Sequence, residues 1–283
     1  MNGRMITCGS AAGARTANVA KMTDMKGATV GDRPGGKPGT RRSSAVRTAV
    51  VWDVLRAALD RSAAASGRTA LDVVDAGGGT GGFAVPLAEL GHRVTVVDTS
   101  PDALAALERR AAEKGVTVQA LQGDADDLLG VVGVDSADLV LCHSVLEYVD
   151  DPAAAMAELA GVVRPGGSVS VLVAGQVAAV LHRALAGHFD DARHVLTDPA
   201  GRWGDRDPMP RRLTRDRLSR LAEGAGLRVG DVHGVRIFAD LVPSGLIDGD
   251  HAAAEALVAL ETAASTHPVL RDLATQLHLL AHA

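Results

Sequence analysis

A glycine-rich segment at residues 75–81 is the part of this sequence whose residue types and spacing are best suited to chemistry. It follows a short apolar run at residues 71–74 and precedes a helical pattern at residues 82–90, so it joins a predicted strand to a predicted helix. Glycines let the backbone turn tightly and approach a ligand that a side chain would block. The segment therefore predicts a ligand-binding loop.

The residue types in this loop distinguish two kinds of cofactor. Gly77, Gly79 and Gly82 satisfy the G-x-G-x-x-G pattern of dinucleotide sites. Asp75, at the start of the loop, would repel a pyrophosphate but suits the cationic amino-acid end of S-adenosylmethionine, which carries an ammonium and a sulfonium group. We therefore expect the loop to bind S-adenosylmethionine. A nicotinamide-dependent oxidoreductase is the alternative, but that function would give Asp75 no role.

Polar residues at the ends of the next predicted strands extend this site. Asp98 ends the second strand, where a carboxylate can accept hydrogen bonds from both ribose hydroxyls. Residues 122–128 follow the third strand and contain Asp124 and Asp126, in a position suited to reading an adenine edge. His143 ends the fourth strand. The carboxyl ends of parallel strands meet at one edge of a sheet, so we expect these residues to line one crevice.

Alternating strands and helices place these residues. Strands are predicted at residues 71–74, 94–97, 116–121, 139–142 and 169–173, with helices at 82–90, 101–114 and 152–163 between them. Ser100 is the expected N-cap of the second helix, and residues 164–167 are expected to end the third. This alternation predicts an α/β fold with a Rossmann-like, doubly wound, mostly parallel sheet.

The flanking segments add helices on either side of this pattern. Residues 46–65 predict an amphipathic helix ahead of the sheet. After residue 173, helices at 176–186 and 214–225 enclose a loop at 190–212, which predicts a small inserted helical cap over about residues 174–226. A strand at 229–238, a helix at 252–263 and a strand at 276–282 complete the chain.

Charge and composition bound the class of protein. Residues 1–47 carry nine Lys and Arg against two Asp in a chain whose net charge is −5. Because residues 1–45 lack apolar periodicity, they predict a disordered basic tail ahead of a domain at 46–283. The tail fits either a nucleic-acid arm or an unselected leader before a later start codon. Aromatic residues are only 2% of the chain, which disfavours a base-stacking platform for single-stranded RNA.

Cysteine and apolar patterns indicate the compartment. Two cysteines, Cys8 and Cys142, support neither a disulfide framework nor a thiolate metal site, so no metal is expected. No uncharged apolar run reaches about 18 residues, the length that a membrane span needs. We therefore expect a cytoplasmic protein without a membrane segment.

The motifs, taken as a set, resemble those of class I S-adenosylmethionine-dependent methyltransferases over about residues 70–173. The resemblance rests on residues 75–81, 98, 123–128, 143–148 and 164–167. Runs at 74–81, 187–190, 234–238 and 256–262 are similar to one subfamily, the tRNA 5-carboxymethoxyuridine methyltransferases, from about residue 47 to residue 278. That subfamily methylates the carboxylate of a modified wobble uridine. The resemblance implies a seven-stranded sheet and S-adenosylmethionine as the cofactor.

The same resemblance implies the residues that hold the cofactor: Arg47, Gly77, Gly78, Asp98, Ala125, Asp126 and His143. Asp75 and Asp124 join this set from the residue patterns described above. The sequence departs from the subfamily after the fifth strand, where Ala174 and Gly175 stand in place of a Tyr-Asn pair. The departure leaves the substrate open.

The expected acceptor is a carboxylate, which is ionised at neutral pH and needs no general base, and no base is assigned. Arg211, Arg212 and Arg236 are candidates to clamp it, because a guanidinium binds a carboxylate with two parallel hydrogen bonds. The first two are expected to be solvated. Arg236 lies in the apolar run 235–238, where an unpaired charge would be costly, and is the favoured clamp.

These observations leave three hypotheses for the function. The favoured one is an enzyme that methylates a carboxylate, and its substrate is either a tRNA or a small carboxylate-bearing molecule. A small-molecule O- or N-methyltransferase is the competing enzyme, and a non-catalytic protein that binds S-adenosylmethionine on the same fold is a remoter alternative.

Overall fold

A computed structural model describes residues 38–243, 245–246 and 250–283, with side chains described from Val46 onward. Residues 1–37 of the predicted tail lie outside the described residues. Within the described part, seven strands form one sheet. They are β1 Asp72–Ala76, β2 Arg93–Asp98, β3 Gln119–Gln122, β4 Ala137–His143, β5 Val163–Ala174, β6 Arg228–Val235 and β7 Gln276–His282.

The strand order is β3-β2-β1-β4-β5-β7-β6. Neighbours from β3 to β5 are parallel, whereas β7 runs antiparallel to both β5 and β6. Ala76, the last residue of β1, pairs with Val97 on one side and with Cys142 on the other. The carboxyl ends of β2, β1 and β4 therefore lie side by side, and the predicted doubly wound, mostly parallel sheet is confirmed.

Helices connect and flank the strands. Those of the described residues are α1 Pro38–Ser66, α2 Ala84–Glu89, α3 Pro101–Lys114, α4 Leu128–Val132, α5 Pro152–Val162, α6 Gln176–Leu185, α7 Phe189–Thr197, α8 Arg215–Gly224 and α9 His251–Ser265. None of them is long and apolar enough to cross a membrane.

The first helix corrects the predicted start of the fold. α1 begins at Pro38, so the prediction of disorder was wrong for the backbone of residues 38–45. The prediction relied on apolar periodicity, which starts only at Val46. A helix can extend beyond its buried face when its first turns are polar, and proline is well tolerated at the first helical position.

The segment predicted to form the cap, about residues 174–226, contains a helix that was predicted as loop. Phe189–Thr197 forms α7, which overlaps the segment 190–212 that its Pro, Arg and Asp content assigned to a loop. Ala192 and Val195 are its buried residues, and Asp190 and Asp191 occupy the first turn, where acidic side chains favour a helix. Two buried positions are too few to give a readable apolar period.

The strand β5 also begins earlier than predicted. Residues 164–167, expected to end the preceding helix, do follow its end at Val162, and they form the first part of β5, which starts at Val163. Arg164 is held by Asp72 of β1 at 2.9 Å and by Asp138 of β4 at 3.2 Å, and this pairing keeps the segment against the sheet. The pairing of β4 with β5 shifts register between Ala137 and Leu139, which pair with Val163 and Ser168.

Apolar side chains cover both faces of the sheet. α1, α2 and α3 pack on one face around residues such as Leu55, Leu87 and Leu107. α5 and α8 pack on the other, around Met156 and Leu218. Strands buried on both faces carry nearly continuous apolar sequences, so polar side chains at their carboxyl ends stand out as candidates for function.

Candidate functional site

The glycine loop after β1 is folded tightly against the end of β2. Gly77 has φ +71° and Gly79 has φ +56°, backbone conformations that residues with a Cβ rarely adopt. The amide of Gly77 donates to the carbonyl of Val97 at 2.7 Å. The amide of Gly79 donates to Oδ2 of Asp98 at 2.8 Å. The loop thereby presents backbone rather than side chains at the carboxyl edge of the sheet.

Gly78 lies directly over a buried carboxylate. Asp75 is 3% exposed, and a Cβ placed on Gly78 would be only 2.5 Å from its Oδ2 atom. Residue 78 must therefore lack a side chain for Asp75 to keep its place. The sequence led us to expect an acidic side chain at the start of the loop, suited to a cationic ligand, and the structure places this carboxyl group directly beneath the loop.

Asp98 connects the glycine loop after β1 to the residues that follow β2. Its Oδ2 atom accepts from Gly79, and its Oδ1 atom accepts from the amide of Ser100 at 3.0 Å. A carboxylate has about four lone-pair positions, so one group can hold the loops and also bind hydroxyls of a ligand. The loop without side chains and the buried carboxylate together fit a nucleoside-containing cofactor.

The segment after β3 lies next to Asp98. The amide of Gly123 donates to the carbonyl of Asp98 at 3.2 Å. Asp124 caps a short 3-10 helix by accepting from the amide of Asp126 at 3.3 Å, and Ala125 between them is buried. Burial and the neighbouring Asp124 raise the pKa of Asp126. The structure thus brings this segment beside the glycine loop.

His143 ends β4 and belongs to a buried hydrogen-bonded chain. Its Nε2 atom lies 2.8 Å from Oγ of Ser170 on β5, and the same oxygen lies 2.8 Å from Nε2 of His278 on β7. Burial lowers the pKa of His143 to about 3 and lowers that of His278 well below its usual value. Both imidazoles are therefore neutral at physiological pH.

The shared hydroxyl couples the two rings. A serine hydroxyl carries one hydrogen, so Ser170 donates to one Nε2 atom and accepts from the other. The rings of His143 and His278 are consequently opposite tautomers. His278 thereby determines whether His143 presents a donor or an acceptor at Nδ1.

Comparison with known proteins identifies the family. The methyltransferase domain family matches residues 74–171. A tRNA 5-carboxymethoxyuridine methyltransferase from Escherichia coli O157:H7 is 34% identical over 219 residues, which are 77% of this chain and 80% of that protein. The chain belongs to the class I S-adenosylmethionine-dependent methyltransferases. S-adenosylmethionine is its methyl donor, and the nicotinamide-dependent alternative is set aside.

Other relatives share the fold but differ in their named acceptors. A ubiquinone biosynthesis O-methyltransferase from Aeromonas salmonicida (strain A449) is 30% identical over 176 residues, 62% of this chain and 69% of that protein. The crystal structure of magnesium protoporphyrin IX methyltransferase from Synechocystis PCC 6803 with bound SAH aligns at TM-score 0.57 and 16% identity. It covers 95% of this chain and 98% of that one. This last likeness concerns the fold alone.

Arg236 does not lie within a strand, as its apolar neighbours predicted. β6 ends at Val235, so Arg236 lies beyond the strand, with φ +63°. Its guanidinium pairs with Asp240 at 2.6 Å, and the same carboxylate lies 3.5 Å from Nε of Arg47 on α1. The prediction that Arg236 carries an unpaired charge in an apolar strand was therefore wrong. Because Arg236 already pairs with Asp240, the argument that it binds the carboxylate of the acceptor no longer holds.

The other two clamp candidates also have partners within the protein. Arg211 donates to the carbonyls of Leu146, Val149 and Asp150, and burial lowers its pKa. Arg212 forms a two-pronged pair with Asp207, at 2.6 and 3.2 Å. The expectation that both are solvated was wrong. Arg211 therefore ties its segment to the residues that follow β4, whereas Arg212 pairs within its own loop.

Three polar residues around the site were not predicted from the sequence. Ser170 and His278 support His143, and Glu261 of α9 accepts three backbone hydrogen bonds from residues 237–239. Glu261 lies on the same face of α9 as the buried Leu257 and Ala264. A charged residue on a buried stripe needs partners, and this signal was available in the sequence.

Proposed function

We propose that this methyltransferase esterifies a carboxylate, and that the carboxylate belongs to a modified uridine of tRNA. The observation that carries the proposal is the state of His143. It stands at the carboxyl end of β4, yet its pKa of about 3 makes it far too weak a base to deprotonate a hydroxyl or an amine at neutral pH. A carboxylate is already ionised there and needs no such base.

The tRNA-modifying relative supports the same acceptor. The Escherichia coli protein that matches 77% of this chain is named for 5-carboxymethoxyuridine in tRNA, a nucleoside that carries a carboxylate. Methyl transfer to such a group requires in-line alignment and exclusion of water more than proton transfer. A tRNA substrate would place the enzyme in the cytoplasm.

We further propose the residues that hold the methyl donor. Asp98 would accept from its ribose hydroxyls, the backbone of Gly77 and Gly78 would lie along it, and the negative charge of Asp75 would favour its cationic end. The remaining members of the proposed set are Arg47, Asp124, Ala125, Asp126 and His143. When bound, the donor supplies an activated methyl group.

A small-molecule hydroxyl is the second candidate acceptor, favoured by the relatives named ubiquinone biosynthesis O-methyltransferase. Such an acceptor must lose a proton, and neither His143 nor His278 can hold it at neutral pH, because burial lowers the pKa of both imidazoles. A hydroxyl acceptor would therefore have to bind already ionised. Its turnover should rise steeply with pH, whereas turnover of a carboxylate should change little around neutral pH.

The test of the proposed function is methyl transfer from radiolabelled S-adenosylmethionine into fractionated cell extract. We expect the label to appear in the tRNA fraction, to be lost after ribonuclease treatment, and to be released as volatile methanol by mild alkali. Methyl esters hydrolyse under these conditions, whereas methylated amines and ribose ethers do not. A base-stable label would contradict the carboxylate, and a label that ribonuclease leaves intact in small molecules would contradict tRNA.

A further inference from the structure

We infer that Asp240 is a positioning residue that aims Arg47 of α1 at the methyl donor, and that Arg236 and Glu261 hold Asp240 in place. We call these three residues, Arg236, Asp240 and Glu261, the brace. The inference rests on the proposed cofactor role of Arg47. It concerns donor binding only and is independent of the identity of the acceptor.

The contacts of Asp240 show what it can do. Oδ1 lies 3.5 Å from Nε of Arg47 and Oδ2 lies 2.6 Å from a terminal nitrogen of Arg236. The side chain of Asp240 is 13% exposed, so water screens these pairs little. Two guanidiniums therefore share one carboxylate. Donor groups of Arg47 that do not face Asp240 remain suited to an anion such as the carboxylate of an amino acid.

The backbone corner that carries Asp240 is rigidly held. Glu261 of α9 is 1% exposed and accepts from the amides of Ile237 at 2.9 Å, Phe238 at 2.8 Å and Ala239 at 2.7 Å. Three successive amides can converge on one carboxylate because Arg236 takes φ +63° just before them. The last of these amides immediately precedes Asp240, so Glu261 fixes where that carboxylate lies.

The helix α1 links the brace to the catalytic edge of the sheet. Val46, next to Arg47, packs with Ala239 of the corner and with Leu257 of α9. Further along α1, the ring of Trp52 lies 5.1 Å from that of Phe83, which follows the glycine loop. Phe83 in turn lies 4.7 Å from the ring of His143. The helix that carries Arg47 is therefore packed against the corner at Val46 and beside the cofactor loop at Trp52.

The two contacts of Asp240 predict what its loss would do. Without the carboxylate, two partly buried guanidiniums repel each other and Arg47 loses the contact that orients it. The hydrogen bonds of Gly77, Gly79 and Asp98 described above do not involve the brace, so we expect them to persist. The effect should therefore fall on affinity for the donor and leave the acceptor steps unchanged.

A double-mutant cycle on the full chain tests the inference. S-adenosylmethionine is titrated calorimetrically into the wild type, Arg47→Ala, Asp240→Asn and the double variant. We expect Asp240→Asn to weaken binding about 5- to 20-fold, the range of couplings of about 1–2 kcal/mol between contacting charged residues. The double variant should bind no more weakly than Arg47→Ala alone, because Asp240 acts through Arg47. Asp240→Glu, which retains the charge, should recover much of the affinity.

Controls separate positioning from folding. Asp231→Asn changes an exposed aspartate of β6 and should leave donor affinity unchanged. In steady-state assays, Asp240→Asn should raise KM for the donor while kcat and KM for the acceptor stay near wild type, a split that general unfolding would not give. Wild-type affinity in Asp240→Asn, or independent and additive losses from Arg47→Ala and Asp240→Asn, would overturn the inference. Failure of the wild type to bind the donor would instead overturn the cofactor assignment.

Discussion

At the scale of single residues, Gly78 shows how closely the cofactor loop is fitted. A Cβ at this position would lie 2.5 Å from Oδ2 of Asp75 and 3.0 Å from a methyl group of Val96. Both neighbours are buried, so neither can move aside without disturbing the core. The absence of a side chain at residue 78 is therefore as specific a requirement as the presence of Asp75.

Gly78→Ala should consequently lower the free energy of unfolding by about 1–3 kcal/mol, the usual cost of overpacking, and weaken donor binding at least tenfold. Thermal denaturation and calorimetric titration measure the two effects. Gly82→Ala is the matched control, because a Cβ there meets nothing within 4 Å. Equal behaviour of the two variants would show that the loop tolerates a side chain over Asp75.

Individual site residues differ in how well the sequence could predict them. Asp98 was predictable because strand and helix periodicities place it at a strand end, and the structure has it there. The position of Arg236 was misjudged because its partner Asp240 lies four residues on, in a segment with neither helical nor strand periodicity. Ser170 and His278 meet across 108 residues of sequence, a separation that no local pattern can bridge.

At the scale of elements, the cap loop depends on one buried ion pair. Asp207 has a fully buried side chain that binds Arg212 and accepts from the amides of Trp203 at 2.9 Å and Met209 at 3.0 Å. Burial alone would raise the pKa of Asp207, but these hydrogen bonds outweigh it and lower the pKa. Trp203 also lies 4.0 Å beneath the guanidinium of Arg183 on α6, so the pair connects the loop to the cap helices.

Asp207→Asn should destabilise the protein by about 3 kcal/mol, because it leaves Arg212 buried without an anion. Hydrogen exchange of residues 203–213 should accelerate, while donor affinity should not change, since the loop does not contact the glycine segment through any of these bonds. Asp205→Asn, at an exposed position two residues earlier, is the control. A loss of donor affinity equal to the loss of stability would contradict this separation of cap and cofactor loop.

Elements were predictable where local signals agree. α3 was predicted at its observed bounds, because Ser100 caps it, proline begins it and Gly115 ends it with φ +68°. α7 and the start of β5 were missed because tertiary contacts, not local pattern, decide them. Val195 is buried in the cap, and Arg164 is held by aspartates of two other strands.

At the scale of the whole molecule, the fold separates two acid-sensitive regions. The neutral pair His143 and His278 lies at the carboxyl side of the sheet. At the opposite edge, Asp72 binds Arg93, Arg68 and Arg164, and the hydrogen bond from Arg93 is the largest of the effects that lower its pKa to about 2. The two groups lose their contributions to stability in different pH ranges.

The free energy of unfolding should decrease as the pH falls below about 6.5, because unfolding lets the buried imidazoles take up protons. With a folded pKa of about 3, His143 alone should account for about 2 kcal/mol between pH 6.5 and 5. The contribution of Asp72 is complete above its unfolded pKa of 3.8 and is lost only as the pH falls toward 2. Urea denaturation at pH 7 and pH 5 measures the first effect.

His143→Gln retains a polar group in place of the imidazole and removes its titration, so this variant should show a weaker pH dependence over the same range. An identical dependence in the variant and the wild type would mean that His143 is not held neutral. The measured quantity is the change in the free energy of unfolding between pH 7 and pH 5, compared between the variant and the wild type. A difference in stability at a single pH does not affect this comparison.

We propose that the carboxyl edge of the sheet, where Asp98 connects the glycine loop to the residues after β2, holds the methyl donor. Calorimetric titration of the wild type, Asp98→Ala and the exposed control Asp102→Asn tests it most directly. We predict that S-adenosylmethionine and S-adenosylhomocysteine bind the wild type and the control at micromolar concentration and that NAD does not bind. Asp98→Ala should weaken binding by about 1.5–3 kcal/mol, the scale of hydrogen bonds to a charged group. Unchanged affinity in Asp98→Ala would contradict the account.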